Sequence, residues 1–264
     1  CNQWEKNSPG VPVNWYPSTN VVVRNNYMEK IGGDGITVRD TDGALIEHNL
    51  VRDCRYQNTG YNVGIWPFEA ANTVIQYNEA YDTHSVQDGQ GLDCDHASSN
   101  SVMQYNYSHN NEGGFMLIMG GYPHTGATIR YNISQNDGAK HGVIDWRPGH
   151  EGSMAYNNTI YLGEGIDREW LKNGYTGGKS DAKFYNNIVV NKGKMTLGAG
   201  FNEQEIDYGS NIFVGFNQVP ANDTAVIQED PKFVAPGTGA NGIDSLKGYQ
   251  LQADSPAIDA GMNL

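Results

Sequence analysis

The sequence predicts an all-β fold, a parallel β-helix, on three observations. Short segments of one pattern recur along the chain, each carries Asn at the same place, and nothing between them has helical length or periodicity. VVRNNYMEKI from 22, LIEHNLVRDC from 45, VIQYNEAYDT from 74, VMQYNYSHNN from 102 and TIRYNISQND from 128 each hold two apolar or β-branched residues, two spacers and then Asn. SMAYNNTIYL from 153 and KFYNNIVVNK from 183 continue the series, and YGSNIFVGFN from 208 is a degenerate copy.

The aligned asparagines are Asn26, Asn49, Asn78, Asn106, Asn132, Asn157, Asn186 and Asn211, at steps between 23 (26 to 49) and 29 (49 to 78) residues. Such a period marks a solenoid, propeller or array, and propeller blades need about 40–45 residues. One coil of a β-helix per repeat fits. An Asn in each coil tolerates a tight turn and hydrogen-bonds its copies above and below. The Tyr that recurs just before it (Tyr77, Tyr105, Tyr131, Tyr156, Tyr185) reads as a structural stack.

In order, residues 1–19 read as an irregular lead-in, with Pro9, Pro12 and Pro17 among Asn, Ser and Gly. Residues 20–215 hold the coils. Residues 216–264 read as a C-terminal cap, because a last coil otherwise exposes core and unpaired strand edges.

The chain of 264 residues is long enough to bury a continuous core and carries a net charge of −13. That charge argues against nucleic acid or an anionic membrane as partner. No run approaches the roughly 20 apolar residues of a membrane span. Cys1, Cys54 and Cys94 are an odd number without metal-ligand spacing, so Cys94 reads as a small buried residue. The start at Cys1 is expected to mark a piece of a longer protein, secreted to the extracellular space or the periplasm. Its missing N-terminal part would then be a partner of this segment.

A second strand follows each Asn segment. Aligning Gly35–Arg39, Gly64–Phe68, Gly91–Asp95, Gly114–Ile118 and Val143–Arg147 sends one column outward as Thr37, Trp66, Asp93, Met116 and Asp145. A second column reads Arg39, Phe68, Asp95, Ile118 and Arg147, the last rung needing a one-residue shift to turn its charges out. Asp93 and Asp95 then share a solvent-facing side about 6.6–7 Å apart, and Asp93 and Asp145 lie about 9.6 Å apart along the stack. Glycosidases hold two carboxyls at roughly 5–9.5 Å. Trp66 and Trp146 would offer flat faces for sugar rings. Glu112 stands at a corner one rung on, within reach of Asp93. Glu69, His96 and Arg147 would line the same cleft.

Over residues 20–215 this pattern resembles the right-handed β-helix proteins of the pectate-lyase-like superfamily, and DPKFV…YQLQADSPAIDAG (230–261) looks like their closing segment. The resemblance implies right-handed coiling and a secreted carbohydrate-active protein. A shorter likeness, DG-x-x-x-D at 88–93 with NEGG at 111–114, is similar to β-xylosidase-like members. It implies an Asp nucleophile or base at Asp93 and a Glu acid at Glu112, with Asp95 and Asp145 as alternatives. A glycoside hydrolase without a cofactor, acting on an oligo- or polysaccharide, is the leading expectation. A polysaccharide lyase is the alternative, with calcium on Asp88, Asp93 and Asp95 and a base among Lys140 and Arg147. A non-catalytic glycan-binding or structural β-helix is the third.

Overall fold

The computed structural model describes residues 15–57, 60–120, 124–147, 149–172, 181–198 and 205–264. Most coils place one short strand in each of three sheets. The first sheet has eight strands, from Val22–Arg24 to Ile206–Gly209, and the second has nine, from Tyr27–Ile31 to Ile212–Phe216. The third has six, from Ile36–Arg39 to Leu171–Lys172. Successive coils pair in parallel, residue above residue.

Period-two alternation explains the core. From the first sheet Ile46, Ile75, Met103 and Ile129 stack in register and point inward. From the third sheet Ile36, Ile65, Leu92, Met116 and Ile144 meet them. Trp170, Phe184 and Phe213 fill the later coils, with ring centroids 5.7–5.9 Å apart.

The corner between the first and second sheets is an asparagine ladder. Asn26, Asn49, Asn78, Asn106, Asn132, Asn158, Asn187 and Asn211 each donate a side-chain N–H to the next rung, at 2.8–3.0 Å. The last acceptor is Asp223, which ends the ladder. In two rungs the ladder residue is therefore the second Asn of an Asn-Asn pair, Asn158 and Asn187, and not Asn157 and Asn186. The reason is backbone geometry. The residue before each ladder Asn is left-handed, with φ of 54–57° at Asn25, His48, Tyr77, Tyr105, Tyr131, Asn157, Asn186 and Ser210. Asn tolerates that conformation too, so a pair fills both roles. His48, Tyr77, Tyr105 and Tyr131 stack at 5.1–5.2 Å in this left-handed column, whereas Tyr156 and Tyr185 sit one position earlier.

A second polar ladder, absent from the sequence reading, lies at the next corner. Asn111 donates its backbone and side-chain N–H to Asp137, and the inward Ser108 and Ser134 hydroxyls donate to its other oxygen. Every donor there has an acceptor, which is what lets a carboxyl sit inside the solenoid.

The ends differ from their expected outlines. Ser18–Thr19 already pairs with Thr41–Asp42, so the stack begins inside the lead-in, whose residues 1–14 lie outside the described residues. At the other end only the first part of the tail covers the last coil, through Asp223 and the Ile212–Ile227 bridge. The rest runs back along the outside of the second sheet. Its 3-10 helix, Ile243–Tyr249, packs Tyr249 on Tyr161, and the Tyr249 hydroxyl donates to Gln135. Gly242 N–H reaches the buried Glu79. The cause is the apolar outer face of that sheet: Tyr161 and Val190 with Phe233 and Tyr249 form a second small core there.

Candidate active site

The outer face of the third sheet carries the acids, in a register that partly differs from the expected one. Asp93 stands beside Leu117, Leu117 beside Asp145, and Asp145 beside Lys172. Met116 instead pairs with Leu92 and points into the core, and Ile118 pairs with Cys94. The rung that slips is thus Gly114–Ile118, while Val143–Arg147 needs no shift. Gln90 pairs with Gly114, so Gly91 and Gly114 do not align.

Trp146 is a correction of the same kind. It pairs with Ile118, points inward and packs edge-on against Phe184 at 5.1 Å, so it cannot meet a sugar. Trp146→Ala is expected to cost about 3–5 kcal/mol of stability, as other buried Trp truncations do. Activity per folded molecule should persist; denaturant melts beside single-turnover assays check both.

Asp93 and Asp145 are not solvent-facing either. Each is only 1% exposed. Burial, together with Asp95, Asp88 and Asp145, holds the Asp93 carboxyl well above the usual carboxylate range. Asp145 accepts a fork from Arg147, with Nη2 at 3.0 Å and Nε at 3.3 Å. The same guanidinium lies 3.8 Å from Asp88.

Asp95 is the most open carboxyl of the cluster, whereas Asp88 is buried, its side chain 7% exposed. The Asp95 and Arg147 side chains are both 14% exposed. Burial pushes the Asp95 carboxyl up to about 7; the His96 backbone N–H and Arg147 oppose the shift and Asp88 adds to it. Asp88 is also raised by burial, with Arg147 and Arg55 pulling it back and Asp145 pushing it up. The turn before the strand brings Asp88 over this face. Gly89 has φ +106°, and a Cβ there would lie 2.5 Å from the His84 carbonyl oxygen, so only Gly closes the turn. Sequence reasoning took Asp88 only as a calcium ligand. Its signal was the Asp-Gly turn placed one strand-length before Asp95.

The raised carboxyls make stability fall with pH. Asp95 holds its proton in the folded chain up to about 7 and loses it near the usual carboxylate value when unfolded. Its contribution is full below about pH 4 and is lost as pH rises through 7. The melting temperature is expected to drop between pH 5 and pH 8, and Asp95→Asn should flatten that slope. Calorimetry at both pH values checks it.

The other expected site residues fall in different places. Trp66 is half-buried on the outer column, edge-on to Phe68 at 5.6 Å, with its indole N–H buried and unbonded among the described residues. His96 follows Asp95, and burial lowers its pKa, leaving it neutral. Glu69 is buried in an ion pair with Arg39 at 2.9 Å, one rung above, and does not line an open cleft. Glu112 does not lean toward Asp93. Lys140 donates to it at 2.6 Å and the Ser85 backbone N–H at 2.8 Å. Lys140 lowers its pKa, the reverse of what a proton donor needs. Among the described residues no group of three or more His, Cys, Asp or Glu side chains is arranged to hold a metal ion. The two basic residues that a lyase would need are both engaged by carboxylates, Lys140 by Glu112 and Arg147 by Asp145.

A family model described as the right handed beta helix region matches residues 6–160, more than half of the chain. The chain belongs to this right-handed β-helix family. The β-helix is also 33% identical, over 93% of its length, to lacto-N-biosidase of Bifidobacterium longum subsp. longum. It superposes on the GH136 lacto-N-biosidase from Eubacterium ramulus with a TM-score of 0.52 at 25% identity, covering 73% of this chain. The selenomethionine form of that enzyme gives a TM-score of 0.57 at 29% identity over 65% of this chain. The β-helix spans 17% of the curated relative and 28–29% of the solved chains.

Proposed function

We infer that this β-helix carries the catalytic face of a glycoside hydrolase, with Asp88 and Asp95 as its carboxyl pair. One observation carries the reading. Of four clustered Asp residues, Asp95 is the most open, its side chain 14% exposed against 7% for Asp88 and 1% for Asp145, and its carboxyl is pushed up to about 7. Two carboxyls flanking a glycosidic bond suffice for hydrolysis: one protonates the leaving oxygen, while the other attacks the anomeric carbon or activates water. A carboxyl near 7 holds a proton for donation and releases it for the return step. The Arg147 guanidinium, 3.0 Å from Asp145 and 3.8 Å from Asp88, offsets part of the charge gathered beside the pair. Trp66 offers an apolar edge for a sugar ring. No step needs a metal ion.

The likeness to lacto-N-biosidases supports a lacto-N-bioside as the substrate, cleaved from an extracellular glycan. The test is direct. The chain is incubated with an aryl lacto-N-bioside and with an aryl galactoside, and released phenol is followed at pH 6. Release from the bioside alone is the expected outcome, unchanged by EDTA. Cleavage that needs calcium and yields an unsaturated uronide from a polyuronate would replace this reading with a lyase. A folded chain that turns over no bioside would sink it.

Trp66→Ala is expected to raise KM for the bioside several-fold and to change kcat little, since the ring holds sugar without moving a proton. Initial rates over a substrate series separate the two constants.

A further inference from the structure

A concave site lies at the edge of the solenoid beyond Glu112. It has a volume of about 470 Å³, and its lining includes Lys140, Gly142, Arg168, Glu169, Lys194 and Asn217. Stacking makes it. The corner that carries Glu112 is followed one coil on by Lys140, whose backbone N–H bonds the Glu112 carbonyl. The Arg168–Glu169 strand then pairs with Met195–Thr196. The site therefore opens about one to three rungs beyond Glu112, roughly 5–15 Å at the rung spacing.

Its charge is unusual for this chain. In a molecule of net charge −13, the cations Arg168 and Lys194 meet here without ion-pair partners among the described residues, facing the carboxylates of Asp167 and Glu169 across the lining. Lys140 adds a third, held in place by Glu112 and the Ser85 carbonyl. Asp167 also lines the site, but its carboxylate accepts the Lys194 backbone N–H at 2.7 Å and is partly satisfied by the chain itself. Arg168 is half-buried; one N–H donates to the Asp167 carbonyl, and Nε is buried with no acceptor among the described residues. Burial lowers its pKa, a cost that a bound anion would offset. Among the described residues no aromatic face lines the site, so a neutral sugar would lack a stacking platform there.

We propose that this site binds an anionic sugar residue, a carboxylate or sulfate carried on a glycan, through Arg168 and Lys194. It recognises charge on a part of the glycan remote from the bond cleaved by Asp88 and Asp95. Glu169 and Asn217 accept and donate to ring hydroxyls. The assignment extends the hydrolase reading but rests on the pocket's own charges.

The test uses binding, not turnover. Chain carrying Asp95→Asn is titrated by NMR with 3′-sialyllactose, with a 6-sulfated N-acetyllactosamine and with neutral lactose. Saturable shifts of the Gly142, Arg168 and Lys194 amides with a charged sugar and none with lactose are expected. Lys194→Gln and Arg168→Gln should each weaken that binding about tenfold, and raised salt should weaken it further. Response to the sialyl but not the sulfated sugar would identify a carboxylate site, and the reverse a sulfate site. Equal response to lactose, or full binding by both Gln variants, would overturn the proposal. Lys194→Gln is exposed and unpaired, so it tests the site even if Arg168→Gln fails to fold. A hydrolase that fails to cleave biosides leaves these outcomes unaffected, so the two readings fail separately.

Discussion

Asp95→Asn is expected to reduce kcat by about 10²–10⁴-fold, the range that a positioned proton donor or acceptor supplies. Asp88→Asn should do the same or more. Neither change should unfold the chain. Each removes a carboxyl that burial already pushes toward neutrality and puts an uncharged group of the same shape in its place. The two roles separate on leaving-group chemistry. The variant lacking the proton donor recovers on an aryl bioside with a good leaving group, because such a bond needs little protonation. The variant lacking the nucleophile or base stays slow on every substrate. Asp93→Asn provides the contrast. Asp93 is buried and its environment favours the neutral carboxyl, which an amide mimics, so kcat should stay within about tenfold of the parent. Full activity in both the Asp88 and Asp95 variants would remove this face from the chemistry, whatever Asp93→Asn does.

The second large effect is on stability. Asn158→Ala is expected to cost about 3–6 kcal/mol, enough to unfold a marginal domain. Its Oδ1 accepts from Asn132 N and Nδ2, and its Nδ2 donates to Ile129 O and to Asn187 Oδ1. Truncation strands two donors and two acceptors in a dry corner, at about 1–3 kcal/mol for each group that water cannot reach. Asn157→Gly is the matched control. Asn157 has φ 54° and lies outside the ladder, and Gly adopts that backbone without strain, so the change should stay within about 1 kcal/mol. Urea melts of the two variants decide the matter. Equal losses would mean that the ladder does not run through the second Asn of each pair.

The fold was legible in the sequence because a solenoid writes itself repeatedly. Asn26, Asn49, Asn78, Asn106 and Asn132 stack as their spacing requires, and the apolar residues three before them, such as Ile75 and Met103, are core. Local chemistry decides these features: Asn satisfies its own column, and alternation sorts each strand into two faces. The sequence also placed Asp93, Asp95 and Asp145 on the outside of one sheet. Register and cover came only with the tertiary structure. A one-residue slip at Gly114 exchanges inward and outward for a whole strand, and nothing in GGFMLI marks where the strand starts. Asn-Asn pairs hide which residue is left-handed, because both positions accept Asn. Whether an outward acid meets water depends on what packs above it. Asp93 and Asp145 are buried, the Gly89 turn brings in Asp88, and Asp95 stays partly open. Alternation thus determines which side of the sheet a carboxyl takes. Its protonation, and so its chemistry, follows from the desolvation and neighbouring charges that only the packed coils and their loops supply.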